Sequence, residues 1–189
     1  MEVSMMKMKT LGVILSLVVF TLVLYGCPAP QPPGSGTEPT PTPTPTTSFT
    51  LNASTLQSTY NIGESVIVSV LSSKPCYLSM FNIDTQGVVT QIFPNNLAMN
   101  NYMEGGQMYH LPSQTDRFRL RVTGPAGTER IRVIATLQNV GIVVPRDFTN
   151  ADFPVFKGSV EEFDRLIDQQ LGSLPESDWT QTNITFQVQ

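Results

Sequence analysis

The chain has 189 residues, 40% apolar and 14% charged, with a formal net charge of −4. That length predicts one globular domain with appendages, and the slight acidity excludes a bulk nucleic-acid binder, which carries a strong basic excess. Two cysteines and one histidine exclude a disulfide framework, a thiol-only zinc site and any multi-histidine metal centre.

Lys7 and Lys9 precede an apolar or weakly polar run of fifteen residues, Leu11 to Tyr25. A bilayer-spanning helix needs roughly 20 apolar residues, so the run reads as a secretory signal rather than a stable transmembrane helix. It ends in Leu24-Tyr25-Gly26-Cys27. This resembles the lipobox of bacterial lipoprotein signal peptides: a leucine, a variable residue, a small residue and a cysteine. Tyr25 is bulkier than the usual residue at its slot. The resemblance implies that residues 1–26 are removed by cleavage between Gly26 and Cys27, and that the Cys27 thiol carries a diacylglyceryl group. The bland alternative is an ordinary signal peptide with an incidental cysteine.

Residues 27–47 form the next segment. From 28 to 48 the chain holds eight prolines, six threonines and a single charge, Glu38. No aliphatic residue there exceeds alanine, so the stretch can bury no core. Its Thr-Pro alternation from Thr40 to Thr46 favours polyproline II, a semi-rigid spacer. Fully extended, at about 3.1 Å per residue, it would reach roughly 65 Å. A proline-rich ligand for a groove-binding domain would carry flanking basic residues, which this stretch lacks.

Residues 48–189 are long enough for one core. Val66 to Leu71 is β-branched and apolar on both faces, as a central strand is. Cys76 to Ile83 is the next strand, with Cys76 expected as a small buried hydrophobe rather than a reactive thiol. Asp84-Thr85-Gln86-Gly87 is a turn, with Gly87 free to take a positive φ, and Val88 to Phe93 returns. Met108 to Leu111 is a short strand ended by Pro112. Phe118, Leu120 and Val122 alternate with Arg117, Arg119 and Arg121. After the turn Gly124-Pro125-Ala126-Gly127, Ile131, Val133 and Ala135 alternate with Arg130 and Arg132. Many strands at short spacing predict a mainly β fold, an antiparallel immunoglobulin-like sandwich.

The tail changes period. Val160, Phe163, Leu166, Ile167 and Leu171 share one helical stripe. Ser159 and Glu162 fit a capping box, and Gly172 a stop, so one C-terminal amphipathic helix spans 160–171. A last strand runs from Thr182 to Val188. Ahead of the helix, in residues 138–158, Val140, Ile142, Val143 and Val144 are strand-like, and Phe148, Phe153 and Phe156 look like anchors of an ordered covering loop.

Three stretches carry a further resemblance: Tyr60-Asn61-Ile62-Gly63-Glu64-Ser65-Val66, Cys76 to Asp84, and Gly87 to Asn95 with its Phe93-Pro94-Asn95 exit. With Leu111-Pro112, Gly124 to Glu129 and Trp179, they look like a bacterial envelope domain of unknown function, over nearly all of 58–189. Members of that family occur in lipoproteins and beside caspase-like peptidase or protein-kinase domains. The resemblance implies a β-sandwich accessory domain and supplies no catalytic residues.

The residues themselves offer little catalysis. A Ser-His-Asp arrangement could recruit only His110, with Ser113 and Asp116 nearby, and no nucleophile elbow is present. Asp84 beside Asn82 lacks EF-hand spacing and reads as a turn cap. No metal or cofactor is expected. The unusual feature is charge placement: Arg117, Arg119, Arg121, Arg130 and Arg132 are five of the nine basic residues after Cys27. Period-2 alternation puts each set on one sheet face. A hairpin closing at 124–127 would put both on the same face, with Arg119, Arg121 and Arg130 outward.

The expected protein is therefore a non-enzymatic module of the bacterial cell envelope, outside the cytoplasm and held to a membrane by lipid. Its arginines would bind or position an envelope protein or an anionic polymer, and no nucleic acid. A structural subunit of a surface assembly and an enzyme with an unrecognised site are the alternatives. Intact-mass spectrometry is expected to find a mature chain starting at a lipid-modified Cys27, and Cys27→Ala to leave uncleaved precursor. An unmodified Cys27, or a start elsewhere, contradicts the lipobox.

Overall fold

A computed structural model describes residues 48–142 and 145–189. The signal segment, Cys27 with its spacer, and the strand reading of Val143 and Val144 lie outside them. In chain order the strands are β1 (Leu51–Thr55), β2 (Thr59–Tyr60), β3 (Ser65–Val66), β4 (Val68–Ser72), β5 (Cys76–Ile83), β6 (Val89–Phe93), β7 (Tyr102–Met103), β8 (Met108–Leu111), β9 (Leu120–Arg121) and β10 (Gly127–Thr136). Helix α1 (Val160–Gly172) and β11 (Trp179–Val188) complete the chain.

The main sheet has the order β2-β11-β10-β5-β6, with β7 also on β5. All its pairs are antiparallel except β2 on β11. β1, β4 and β8 form a second antiparallel sheet, and β3 with β9 a two-stranded third. The domain is thus mainly β with one helix, and its strands are arranged in several antiparallel sheets.

Alternation along β10 and β5 explains the layers. Ile131, Val133, Ala135, Leu78 and Met80 share a core with Val68 and Val70 of β4, and with Val66 and Val122. Ile134, Phe81 and Ile83 point the other way, into a core with Phe163, Ile167 and Leu171 of α1. A strand buried on both faces must be apolar at nearly every position, as the all-buried stretch Ile131–Ala135 is, apart from Arg132. Cys76 is fully buried in the first core, and desolvation pushes its thiol above the ordinary value, which suits the small-hydrophobe reading. A register shift at Met80/Phe81 adds a residue to β6, so consecutive Ile92 and Phe93 both reach the first core.

The helix follows its sequence signals closely. Ser159 Oγ accepts from Glu162 N–H, and Glu162 Oε2 accepts from Ser159 N–H at 2.9 Å, a complete capping box. Gly172 is the last helical residue rather than the stop beyond it, and the cap is Ser173 in a right-handed conformation. The anchors of the 145–156 loop are in place. Phe148 and Phe156 are buried, and the loop backbone bonds the outer edge of β6 through Gln91 N–H to Pro154 O and Phe156 N–H to Val89 O.

Two strand expectations change. The run Val66–Leu71 breaks at Ile67, so β3 and β4 join different sheets. The arginine hairpin does not form. β9 pairs with β3, reinforced by Val122 N–H to Glu64 O and Gly63 N–H to Val122 O, while β10 lies between β5 and β11. Gly124 and Gly127 both take positive φ and carry the chain from one sheet to the other.

Phe163 is 1% exposed and packs against Phe81 and Phe156, with ring centroids at 4.9 and 5.7 Å. Phe163→Ala is expected to cost about 3–5 kcal/mol in denaturant unfolding. A near-neutral result would make α1 a peripheral element.

Candidate functional site

The five arginines divide into two groups with different surroundings. Arg132 sits on the helix side of β10 with its side chain 6% exposed. Its guanidinium donates to Asp164 Oδ1 at 2.7 Å, Asp168 Oδ1 at 2.6 Å and Gln181 Oε1 at 2.9 Å. Arg130, one step along the same face, donates to the other oxygen of Asp164 at 3.0 Å. The helix therefore neutralises this pair through Asp164 and Asp168. Arg130 is not outward, and Arg132 is unavailable to a partner.

Arg117, Arg119 and Arg121 are exposed, as their alternation with Phe118, Leu120 and Val122 requires. Among the described residues none of the three meets a carboxylate. Arg119 donates to the backbone oxygens of Asp116 and Phe118, and Arg121 reaches Gly63 O at 3.5 Å. The five-arginine face of the sequence reading thus reduces to three residues on the β9 segment.

Arg119 and Arg121 border a cavity of about 360 Å³ that the sequence did not reveal. It lies where the β9 segment passes over one end of the main sheet. Leu120 and Val122 line it from β9; Ile131, Ile92 and Phe186 from the sheet; and Phe153 from the covering loop. Phe153 is held there by edge-on packing with Phe118, ring centroids 5.3 Å apart.

A polar row crosses this apolar lining. Glu129, Asn82, Asp84 and Thr90 all line the cavity. Glu129 is only 4% exposed, and its Oε2 accepts from Asn82 Nδ2 at 2.9 Å. No cation pairs with it among the described residues. Burial pushes its carboxyl above the ordinary value of 4.5, and the nearby charge of Asp84 pushes the same way, against the Asn82 hydrogen bond. Asn82 Oδ1 is itself buried without a hydrogen-bond partner, a property shared among the described residues only with Trp179 Nε1. Asp84 does cap its turn, accepting from Gln86 and Val88 N–H at 2.8 Å.

The catalytic candidates are not assembled. His110 is exposed on β8 and shares a 3.0 Å hydrogen bond with Ser69 of β4. Ser113 and Asp116 close a local turn, Asp116 Oδ2 accepting from Ser113 N–H.

Most of the cavity lining and the β9 arginines fall inside a recognisable stretch. Residues 59–139 match the family model of a domain of unknown function, DUF4384. The DUF4384 match runs from β2 through the end of β10 and takes in Asn82, Arg117 to Arg121, and Glu129. It stops short of α1 and β11, and it does not reach Cys27. No match to a curated protein was found.

Glu129 was missed because a glutamate beside Arg130 and Arg132 reads as a solvated charge. Its parity was the available signal: it shares a face with Ile131 and Val133. Because the folded protein holds the Glu129 proton more tightly than the unfolded chain, this contribution to stability is fully present below 4.5 and is lost as pH rises through the raised folded value. Glu129→Gln is expected to raise the melting temperature at pH 7 by roughly 2–5 °C and to flatten that decline. An unchanged pH profile would show that Glu129 is solvated.

Proposed function

We propose that this is a non-catalytic binding module of the bacterial cell envelope, tethered through lipid on Cys27. Its Pro/Thr spacer holds the domain off the membrane, and its contact with another envelope component is made through Arg117, Arg119 and Arg121. The single observation that supports this contact is the set of three exposed arginines on one segment, none paired with a carboxylate among the described residues, with Arg119 and Arg121 bordering a cavity. The partner is an anionic polymer or an acidic protein surface of the envelope. We also read the two facing sheets as an immunoglobulin-like sandwich, a scaffold that presents contacts on its edges and loops.

Charge attraction of this kind acts over a screening length of about 8 Å at physiological ionic strength. Each exposed pair contributes about 0–1 kcal/mol, so three together amount to about a tenfold change in affinity. Photocrosslinking of the full-length protein in intact cells is expected to recover a partner. The combined R117E/R119E/R121E variant is expected to lose that adduct about tenfold, with abundance and melting curve unchanged. Adduct formation in isolated envelopes is expected to fall as salt is added. Capture that ignores both the substitutions and salt refutes this reading.

A further inference from the structure

We propose that the cavity under β9 binds a small molecule with an ammonium head, an aliphatic stem and an anionic far end, the ammonium seated on Glu129 and Asn82. This goes beyond the envelope contact and is tested with no envelope present.

The argument begins with an imbalance. A buried carboxylate without a cation costs several kcal/mol unless hydrogen bonds or a partner charge offset it. Glu129 has one amide donor, Asn82 Nδ2. Two guanidiniums border the same cavity, yet Arg119 donates to the backbone oxygens of Asp116 and Phe118 and Arg121 to Gly63 O. The protein's own cations therefore leave Glu129 uncompensated. Beside it, Asn82 Oδ1 is a buried acceptor with no donor. Both missing partners are donors, and one is a positive charge.

An ammonium group supplies both. It is compact and carries three N–H donors and no acceptor, so one head group can serve a carboxylate and an amide oxygen together. A guanidinium is a broad planar fork suited to a bidentate carboxylate, which Glu129 is not, since Asn82 already occupies Oε2. The walls beside the polar row are apolar, with Ile92, Leu120 and Ile131 among them, and suit a methylene stem. Arg119 and Arg121 at the rim disfavour a bare amine and favour a ligand whose outer end is anionic. The volume, about 360 Å³, is at the small end of the roughly 300–1,000 Å³ typical of ligand pockets. An ω-amino acid, or the lysine side chain of a short acidic peptide, carries this chemistry.

Isothermal titration of the full-length protein in detergent micelles tests the idea with 5-aminopentanoate, pentylamine and pentanoate. 5-Aminopentanoate is expected to bind best, pentylamine more weakly and pentanoate least. Glu129→Gln is expected to weaken 5-aminopentanoate about tenfold or more, as loss of a charge-assisted contact does. The R119Q/R121Q variant is expected to bring 5-aminopentanoate down to the level of pentylamine while leaving pentylamine no weaker. Pentanoate binding as well as 5-aminopentanoate, binding indifferent to Glu129→Gln, or no binding of any probe overturns the proposal. A short lysine-containing acidic peptide in place of 5-aminopentanoate distinguishes a peptide source from a free amino acid. Loss of the cellular crosslink in R117E/R119E/R121E with 5-aminopentanoate binding absent throughout would sink this inference alone; the reverse pattern would sink only the envelope contact.

Discussion

The fold depends on one strand serving two cores. β10 gives Ile131, Val133 and Ala135 to the core shared with β4 and Ile134 to the helix layer, and β5 does the same beside it with Leu78 and Met80 against Phe81 and Ile83. Burying apolar area at about 25 cal/mol per Å² on both faces of the same strands lets a domain of this size build two cores around one sheet. Arg132 is the exception within that double burial. Three hydrogen bonds and two carboxylates are what make its position tolerable, since a buried charge is costly unless paired. Where the double coverage ends, at Glu129, the β9 segment passes over the sheet without filling the space, and the cavity results.

What the sequence revealed follows the range of the interactions involved. The helix was legible because its stripe, capping box and length are local. β5 was legible because a strand buried on both faces leaves a continuous apolar run, Cys76 to Ile83. β1, β2 and β7 were not, since Leu51-Asn52-Ala53-Ser54-Thr55 is mostly polar and the other two are two residues each. The arginine segments failed in a different way. Alternation reports which face a residue takes but not which strand lies alongside, and β9 found its partner 54 residues upstream, Leu120 opposite Val66. The cavity was illegible for the same reason, because its walls come from six strands and the covering loop.

The three phenylalanines of the covering loop link the two cores to the candidate site. Phe148 and Phe156 pack with each other and, through Phe81 and Phe163, on the helix core. Phe153 instead meets Phe118 and the cavity. One loop thereby blunts the outer edge of β6, a surface open to strand-on-strand association when uncovered, and forms part of the cavity wall. Shape at the cavity is consequently set partly by a segment beyond the DUF4384 match, so proteins alike over that match can differ there.

β1 also has a mechanical consequence. It is an edge strand, hydrogen-bonded to β4 alone. It is the first strand met by any load arriving along the chain from the side of residue 48. At its leading end Thr50 and Ser73 are clipped together by Thr50 N–H to Ser73 Oγ and Ser73 N–H to Thr50 O. The ten-residue pairing of β10 with β11 lies deeper and is spared until that outer strand is gone. A domain wired in this order, loaded from residue 48, would give up its edge strand before its central sheet.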